Sequence, residues 1–229
     1  MIMLSMDRRR FVAGAAAAGV LLPQAARAES GLLAFDVSRN GSKIGTHTIR
    51  LRQDGDRVET DIAIDLEVRL AFITAYRYTH RNHEVYVADR LVSMQSWTDD
   101  NGTRYEVDAR NQGDRLVVTG TDGTKELPAG ILPTTYWKPR MVQDGAWINT
   151  QHGRLVEGRS ELVGEELVEV GSQVVPSEHW AIRGDVNLDL WYGDIGWTQL
   201  AFTIRGDNHI RYTRRPESDV ASLPQAVRA

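Results

Sequence analysis

From residue 58 to residue 72, polar and apolar side chains alternate almost without a break. Val58, Thr60, Ile62, Ile64, Leu66, Val68, Leu70 and Phe72 occupy one parity, and Glu59, Asp61, Ala63, Asp65, Glu67, Arg69 and Ala71 the other. Successive side chains of a strand point to opposite faces, so this segment as a strand has one nearly apolar face and one charged face. A helix of the same sequence would scatter both sets around its circumference. The pattern recurs near the C-terminus, where Trp180, Ile182, Val186, Leu188, Leu190 and Tyr192 alternate with His179, Arg183, Asp185, Asn187, Asp189 and Trp191. Long one-sided strands need neighbours and a shared core, because an isolated hairpin is marginal in water.

The remaining chain supplies those neighbours. Leu33, Phe35 and Val37 alternate with polar residues up to Asn40-Gly41, a pair suited to the left-handed positions of a type I′ turn. Strands then follow at 44–52, from 57, at 76–87, and as a hairpin of 91–98 and 103–111 about Asn101-Gly102, with another at 116–119. Between Leu127 and Gln151, Pro128, Gly130, Pro133 and Pro139 interrupt any regular element. Ile131, Leu132, Tyr136, Trp137, Met141 and Trp147 make the same stretch too apolar for a solvated linker. It reads as an ordered crossing segment with a helical turn near Pro139 to Gln143, lying against the apolar face of the sheet. Strands resume at 155–162, 167–170, 174–192, 197–205 and 209–213. About 11 strands with short polar turns predict a single all-β domain over residues 29–214. Sequential hairpins favour one large curved antiparallel meander or incomplete barrel, with a two-sheet sandwich as the alternative.

Both ends are set apart. Asp7-Arg8-Arg9-Arg10-Phe11-Val12 resembles a twin-arginine export signal, and an Ala/Gly-rich run too short to span a bilayer follows it. Ala26-Arg27-Ala28 has the small-x-small form of a cleavage site. Residues 1–28 are therefore expected to be removed, with Arg8, Arg9 and Phe11 read by the translocase and Ala26 and Ala28 by the peptidase. The expected destination is the periplasm or the medium. The tail 215–229, with Pro216 and Pro224, is expected to be disordered.

The whole chain has 27 basic and 31 acidic side chains; without the four arginines and one aspartate of residues 1–28, 23 and 30 remain, a formal charge of −7. An acidic domain is a poor partner for nucleic acid or anionic membranes, which select basic surfaces. No second hydrophobic stretch is long enough for a membrane helix, so no stable membrane anchor is expected. The absence of cysteine excludes thiol nucleophiles, cysteine-held clusters and a lipid-modified cysteine at the cleavage site. No cofactor is expected.

Few residues point to chemistry. His80-Arg81-Asn82-His83-Glu84 is the densest set of potential metal ligands, and His80 and Glu84 share a strand face. Helical zinc motifs are not matched, and a polar strand is the simpler account. Asp185 to Asp189 resembles the start of a calcium loop but lacks its glycine and its closing glutamate. No G-x-S-x-G serine and no phosphate-cradling glycine loop is present. The aromatics carry more information, and Tyr76, Tyr78, Tyr136, Trp137, Trp180 and Tyr192 are the residues expected to line a ligand cavity if the sheet encloses one.

Asn40-Gly41 with Ile44-Gly45, Tyr76 through Glu84, Pro133-Thr134-Thr135-Tyr136-Trp137, and Gly184-Asp185 through Trp191-Tyr192 together resemble an uncharacterised family of exported bacterial proteins, a domain of unknown function. The order of elements is more remotely similar to another periplasmic domain of unknown function with a curved sheet, and to the half-barrels of the lipoprotein carriers LolA and LolB. The family resemblance supplies no catalytic residues. It carries no activity to transfer either, and the leading expectation is a non-enzymatic envelope protein whose curved sheet holds a small apolar or amphipathic ligand. A structural or interaction module with a filled core is the alternative, and a hydrolase using His80 and Glu84 is a third.

Overall fold

The computed structural model describes residues 29–70, 72–204 and 206–216, so the expected export signal of residues 1–28 and all but the first two residues of the expected tail lie outside the described residues. The strands are β1 (Glu29–Arg39), β2 (Ser42–Asp54), β3 (Arg57–Leu70), β4 (Ile73–Val87), β5 (Arg90–Asp100), β6 (Thr103–Asn111), β7 (Arg115–Gly120), β8 (Gly123–Pro128), β9 (Leu132–Pro133), β10 (Ala146–Ile148), β11 (Leu155–Val170), β12 (Gln173–Gly184), β13 (Leu188–Gly193), β14 (Gly196–Ile204) and β15 (Asn208–Arg214). A 3-10 helix, Pro139–Gln143, sits between β9 and β10.

The 15 strands form one sheet in the order 8-7-6-5-4-3-2-1-15-14-13-12-11-10-9. The chain starts in the middle, meanders out to one edge, crosses to the other edge and meanders back until β15 pairs with β1. Every pairing is antiparallel except the short one between β9 and β10. The expected single curved sheet is present, with 15 strands where the sequence led us to expect about 11, and not as a sandwich. Asn40 and Gly41 both have positive φ (49° and 82°), as do Asn101 and Gly102 (53° and 93°), so both tight hairpins turn as their sequences predict.

The crossing segment itself contributes two short strands, β9 and β10, and three further differences change the strand count. First, β8 is an exposed edge strand with no apolar parity of its own. Second, the expected strand 174–192 is a hairpin: Ile182 pairs with Leu188 across a turn at Asp185 to Asn187. Third, 155–162 and 167–170 are one continuous strand, interrupted only by a bulge between Leu162 and Gly164. At the far end of β3, Phe72 is fully exposed rather than part of the apolar face.

Hydrogen bonds outside the strand ladders connect the two arms of the sheet. The loop after β10 reaches β5 and the β7–β8 turn: Ser96 donates to the Thr150 carbonyl, Thr121 N–H donates to the His152 carbonyl at 2.9 Å, and Arg154 forks onto Asp122 with two 2.9 Å bonds. A Cβ at Gly120 would lie 2.3 Å from the His152 oxygen, so the approach requires glycine there. On the outer face, β3 carries a ladder of ion pairs: Arg52–Glu59, Arg81–Asp65 and Arg77–Glu67. Such exposed pairs set register more than they add stability. At the C-terminal end of the described residues, Arg215 N–H donates to the Ala34 carbonyl at 2.8 Å, and Pro216 packs against Gly171.

The core occupies one half of the enclosed space. Leu33, Phe35, Ile49, Leu51, Ile62 and Met94 face inward there, and the crossing segment fills the space with Trp137, Met141, Trp147 and Ile148. Trp147 Nε1 donates to the Met141 carbonyl at 2.9 Å, tying the 3-10 helix to β10. The segment therefore covers the inner face, as its apolar content requires.

Candidate functional site

The other half of the enclosed space is unfilled. A cavity of about 850 Å³ lies toward the end where the β1–β2, β3–β4, β5–β6 and β14–β15 hairpins turn. Its volume is within the ordinary range for a small-molecule site, roughly 300–1,000 Å³.

Strand parity makes this cavity two-sided. Ile64, Leu66 and Val68 of β3, Ile44 of β2, Leu200, Phe202 and Ile204 of β14 and Ile210 of β15 form an apolar wall. The inward row of β4 is polar along its length: Tyr76, Tyr78 and His80 border the cavity, and Asn82 and Glu84 continue the row into the core. Asp100 of β5 and Thr134, Asn149, Thr150 and Gln151 from the crossing segment extend that polar wall.

The polar wall is internally bonded. Tyr76 Oη donates to Asp100 Oδ1 at 2.8 Å, Gln151 Nε2 donates to Asp100 Oδ2 at 3.2 Å, and Tyr78 Oη donates to Gln151 Oε1 at 3.2 Å. His80 Nδ1 lies 2.8 Å from Thr98 Oγ1. Burial, with Arg81 nearby, lowers the His80 pKa to about 4, so the ring is neutral. Behind the cavity, buried His47 is packed by Phe35, Trp197 and Tyr212 with no hydrogen-bond partner for either ring nitrogen among the described residues, and burial lowers its pKa to about 3.

The crossing segment turns sharply at Tyr136. Its φ of 64° is left-handed, a conformation unfavourable for a bulky residue unless its surroundings hold it. Tyr192 Oη donates to its carbonyl at 2.8 Å, and its ring packs 5.7 Å from that of Trp197. This turn directs Tyr136 to the cavity and Trp137 into the core. Burial raises the Tyr136 phenol to about 12.

Trp137 is anchored by the buried Glu84. The carboxylate accepts from Tyr86 Oη at 2.9 Å, Asn82 Nδ2 at 2.7 Å, and Thr60 Oγ1 and Trp137 Nε1 at 3.3 Å each. Desolvation nevertheless holds its pKa above the usual value. Next to it, Lys138 pairs with Asp89 and lies over the rings of Tyr86 and Trp137.

Of the six aromatic residues singled out from the sequence, Tyr76, Tyr78 and Tyr136 border the cavity. Trp137 is a core residue, Trp180 packs against the main core on β12, and Tyr192 supports the cavity only through the Tyr136 carbonyl. These three do not line it, because the turn at Tyr136 and the β12–β13 hairpin send them into filled space. Sequence reasoning passed over the C-terminal side of the wall: Leu200, Phe202, Ile210, Tyr212, and Arg39 opposite Ile210. Their shared inward parity was the available signal.

Residues 35–215 match the model of a family described as a domain of unknown function, DUF6134. The chain belongs to that family. No curated protein matches the chain. Among solved structures, it is similar to the β-barrel-like protein of the domain of unknown function DUF1849 from Brucella abortus. That similarity has a TM-score of 0.54 and 12% identity, and it covers 82% of this chain and 96% of that one. At such identity the likeness concerns the fold, and it agrees with the rolled, barrel-like sheet of this DUF6134 domain.

Proposed function

We propose that this DUF6134 protein is a non-enzymatic binder of a small amphipathic ligand, exported by the twin-arginine translocase and working in the periplasm or the medium. The observation that carries the reading is the two-sided cavity. An apolar wall built from β3 and β14 faces a hydrogen-bonded polar wall built from β4, β5 and the crossing segment. A filled-core module would have no need to leave half of its apolar face uncovered. The hydrolase reading draws no support from the geometry, since Glu84 is engaged by four donors and His80 by Thr98.

The test is mass spectrometry of small molecules released from the protein purified from its own cell envelope, with titration by the neutral apolar dye phenylnaphthylamine. A co-purifying amphiphile that displaces the dye is expected. No saturable dye binding and no released molecule would overturn the reading. Export is tested separately: Arg8→Lys with Arg9→Lys should leave uncleaved protein in the cytoplasm. Mature protein starting at Glu29 from that double variant would assign export to the general secretion route.

A further inference from the structure

Arg39 is a charged residue in a position its strand otherwise reserves for apolar groups. Leu33, Phe35 and Val37 of β1 are buried on the inner face, and Arg39 is the next residue of that parity. Its cross-strand partner Ile210 also faces inward, and both border the cavity. An arginine serving only solubility would occupy the outward parity, where Asp36 and Ser38 sit.

No carboxylate among the described residues lies within ion-pairing distance of Arg39. Its Nε donates to Asn208 Oδ1 at 2.6 Å, which fixes the plane of the guanidinium and leaves the two terminal nitrogens uncommitted to any acid. Asp100, the acid that lines the same cavity, already accepts from Tyr76 and Gln151, one donor to each oxygen. The cavity therefore holds a half-buried cation beside an apolar wall, with its own anion engaged elsewhere. A cation removed from water in this way is stabilised by an anion brought to it, and the guanidinium fork matches a carboxylate or phosphate with two parallel bonds.

Building on the ligand-binding reading above, we infer that the ligand is an anionic amphiphile whose oxyanion head is held by Arg39 while its apolar body lies along Ile64, Leu66 and Phe202. The position of Arg39 at the hairpin end of β1 puts the head near the mouth and the body inward.

Dodecanoate, dodecyl phosphate and dodecanol, each competing with phenylnaphthylamine, test this on the mature protein and on Arg39→Met and Arg39→Lys. The wild type should take at least one anion about tenfold or more tightly than the alcohol, as expected for a charge-assisted contact. The stronger of the two anions identifies the head. Arg39→Met should erase that preference while still folding cooperatively and still binding dodecanol, and Arg39→Lys should keep part of it. Equal binding of all three by the wild type, or a preference that survives in Arg39→Met, overturns the assignment of the head and leaves the cavity reading standing. Failure of the wild type to bind the dye or any of the three removes both.

Discussion

One strand passes through two different environments, and the contrast shows where sequence stops being informative. On β3, Val58, Thr60 and Ile62 are buried, whereas Ile64, Leu66 and Val68 of the same parity are only half-buried. Nothing local distinguishes Ile62 from Ile64. The difference comes from the crossing segment, which lays Trp137, Met141 and Trp147 over the first half and leaves the second half to the cavity. The alternating pattern specifies which face is inward. What fills the inside is decided by residues some 70 positions away along the chain.

The largest stability loss should come from emptying the filled half. Trp137→Ala should cost about 3–5 kcal/mol in a urea melt, the usual range for a fully buried large aromatic. It also removes one donor from the buried Glu84 carboxylate. Leu66→Ala, a truncation beside existing empty space, should cost clearly less than a core leucine would. Equal losses at the two positions would mean that both halves are packed alike.

Acid should act next most strongly, through the histidines at the boundary between the halves. His47 and His80 have folded pKa values lowered to about 3 and about 4 from 6.5. Below 6.5 the unfolded chain binds protons that the folded protein refuses, so stability falls as pH falls from 6.5 toward those lower values. Each histidine contributes up to about 1.4 kcal/mol per pH unit in this window. Glu84, with its pKa raised by burial, works in the opposite direction: its penalty, present above its unfolded pKa of 4.5, is relieved on acidification. A net loss of about 1–2 kcal/mol per pH unit between 6 and 5 is expected. His47→Leu should flatten that slope in urea melts at several pH values. A slope unchanged by the substitution would assign the acid sensitivity to other groups.

Much of the fold was legible because it depends on short-range rules. The Asn-Gly turns, the parity of β3 and the helical turn at Pro139 to Gln143 all form as their residues predict. The misreadings have equally definite causes. Alternation runs through Asp185 to Asn187 although the chain reverses there, because parity counting does not register a turn that preserves the alternation. The edge strand β8 needs no buried face, so it carries no apolar signal. Of the site, the tyrosines on β4 and Tyr136 were visible as inward or segment aromatics. Trp137 and Tyr136 are neighbours with opposite fates because of one left-handed φ, which no pattern in the sequence announces. Arg39 was visible in principle, as the continuation of an apolar parity by a charge.

The smallest stability effect, and the sharpest test of the contrast, comes from filling the unfilled half. Leu66 borders the cavity, so Leu66→Trp places added volume in open space, where neighbours need not move. Its melt should stay within about 1 kcal/mol of the wild type, whereas Ile62→Trp, set in packed core, should lose about 1–3 kcal/mol from overpacking. Binding should respond in reverse. Leu66→Trp should abolish saturable phenylnaphthylamine binding, because the indole occupies the volume the dye needs, while the folded fraction of Ile62→Trp retains it. A Leu66→Trp protein that melts like the wild type and still binds the dye would place the ligand volume somewhere other than between β3 and β14. The same variant destabilised as much as Ile62→Trp would show that the space beside Leu66 is closed in solution, and the filled-core module would then be the better account of this fold.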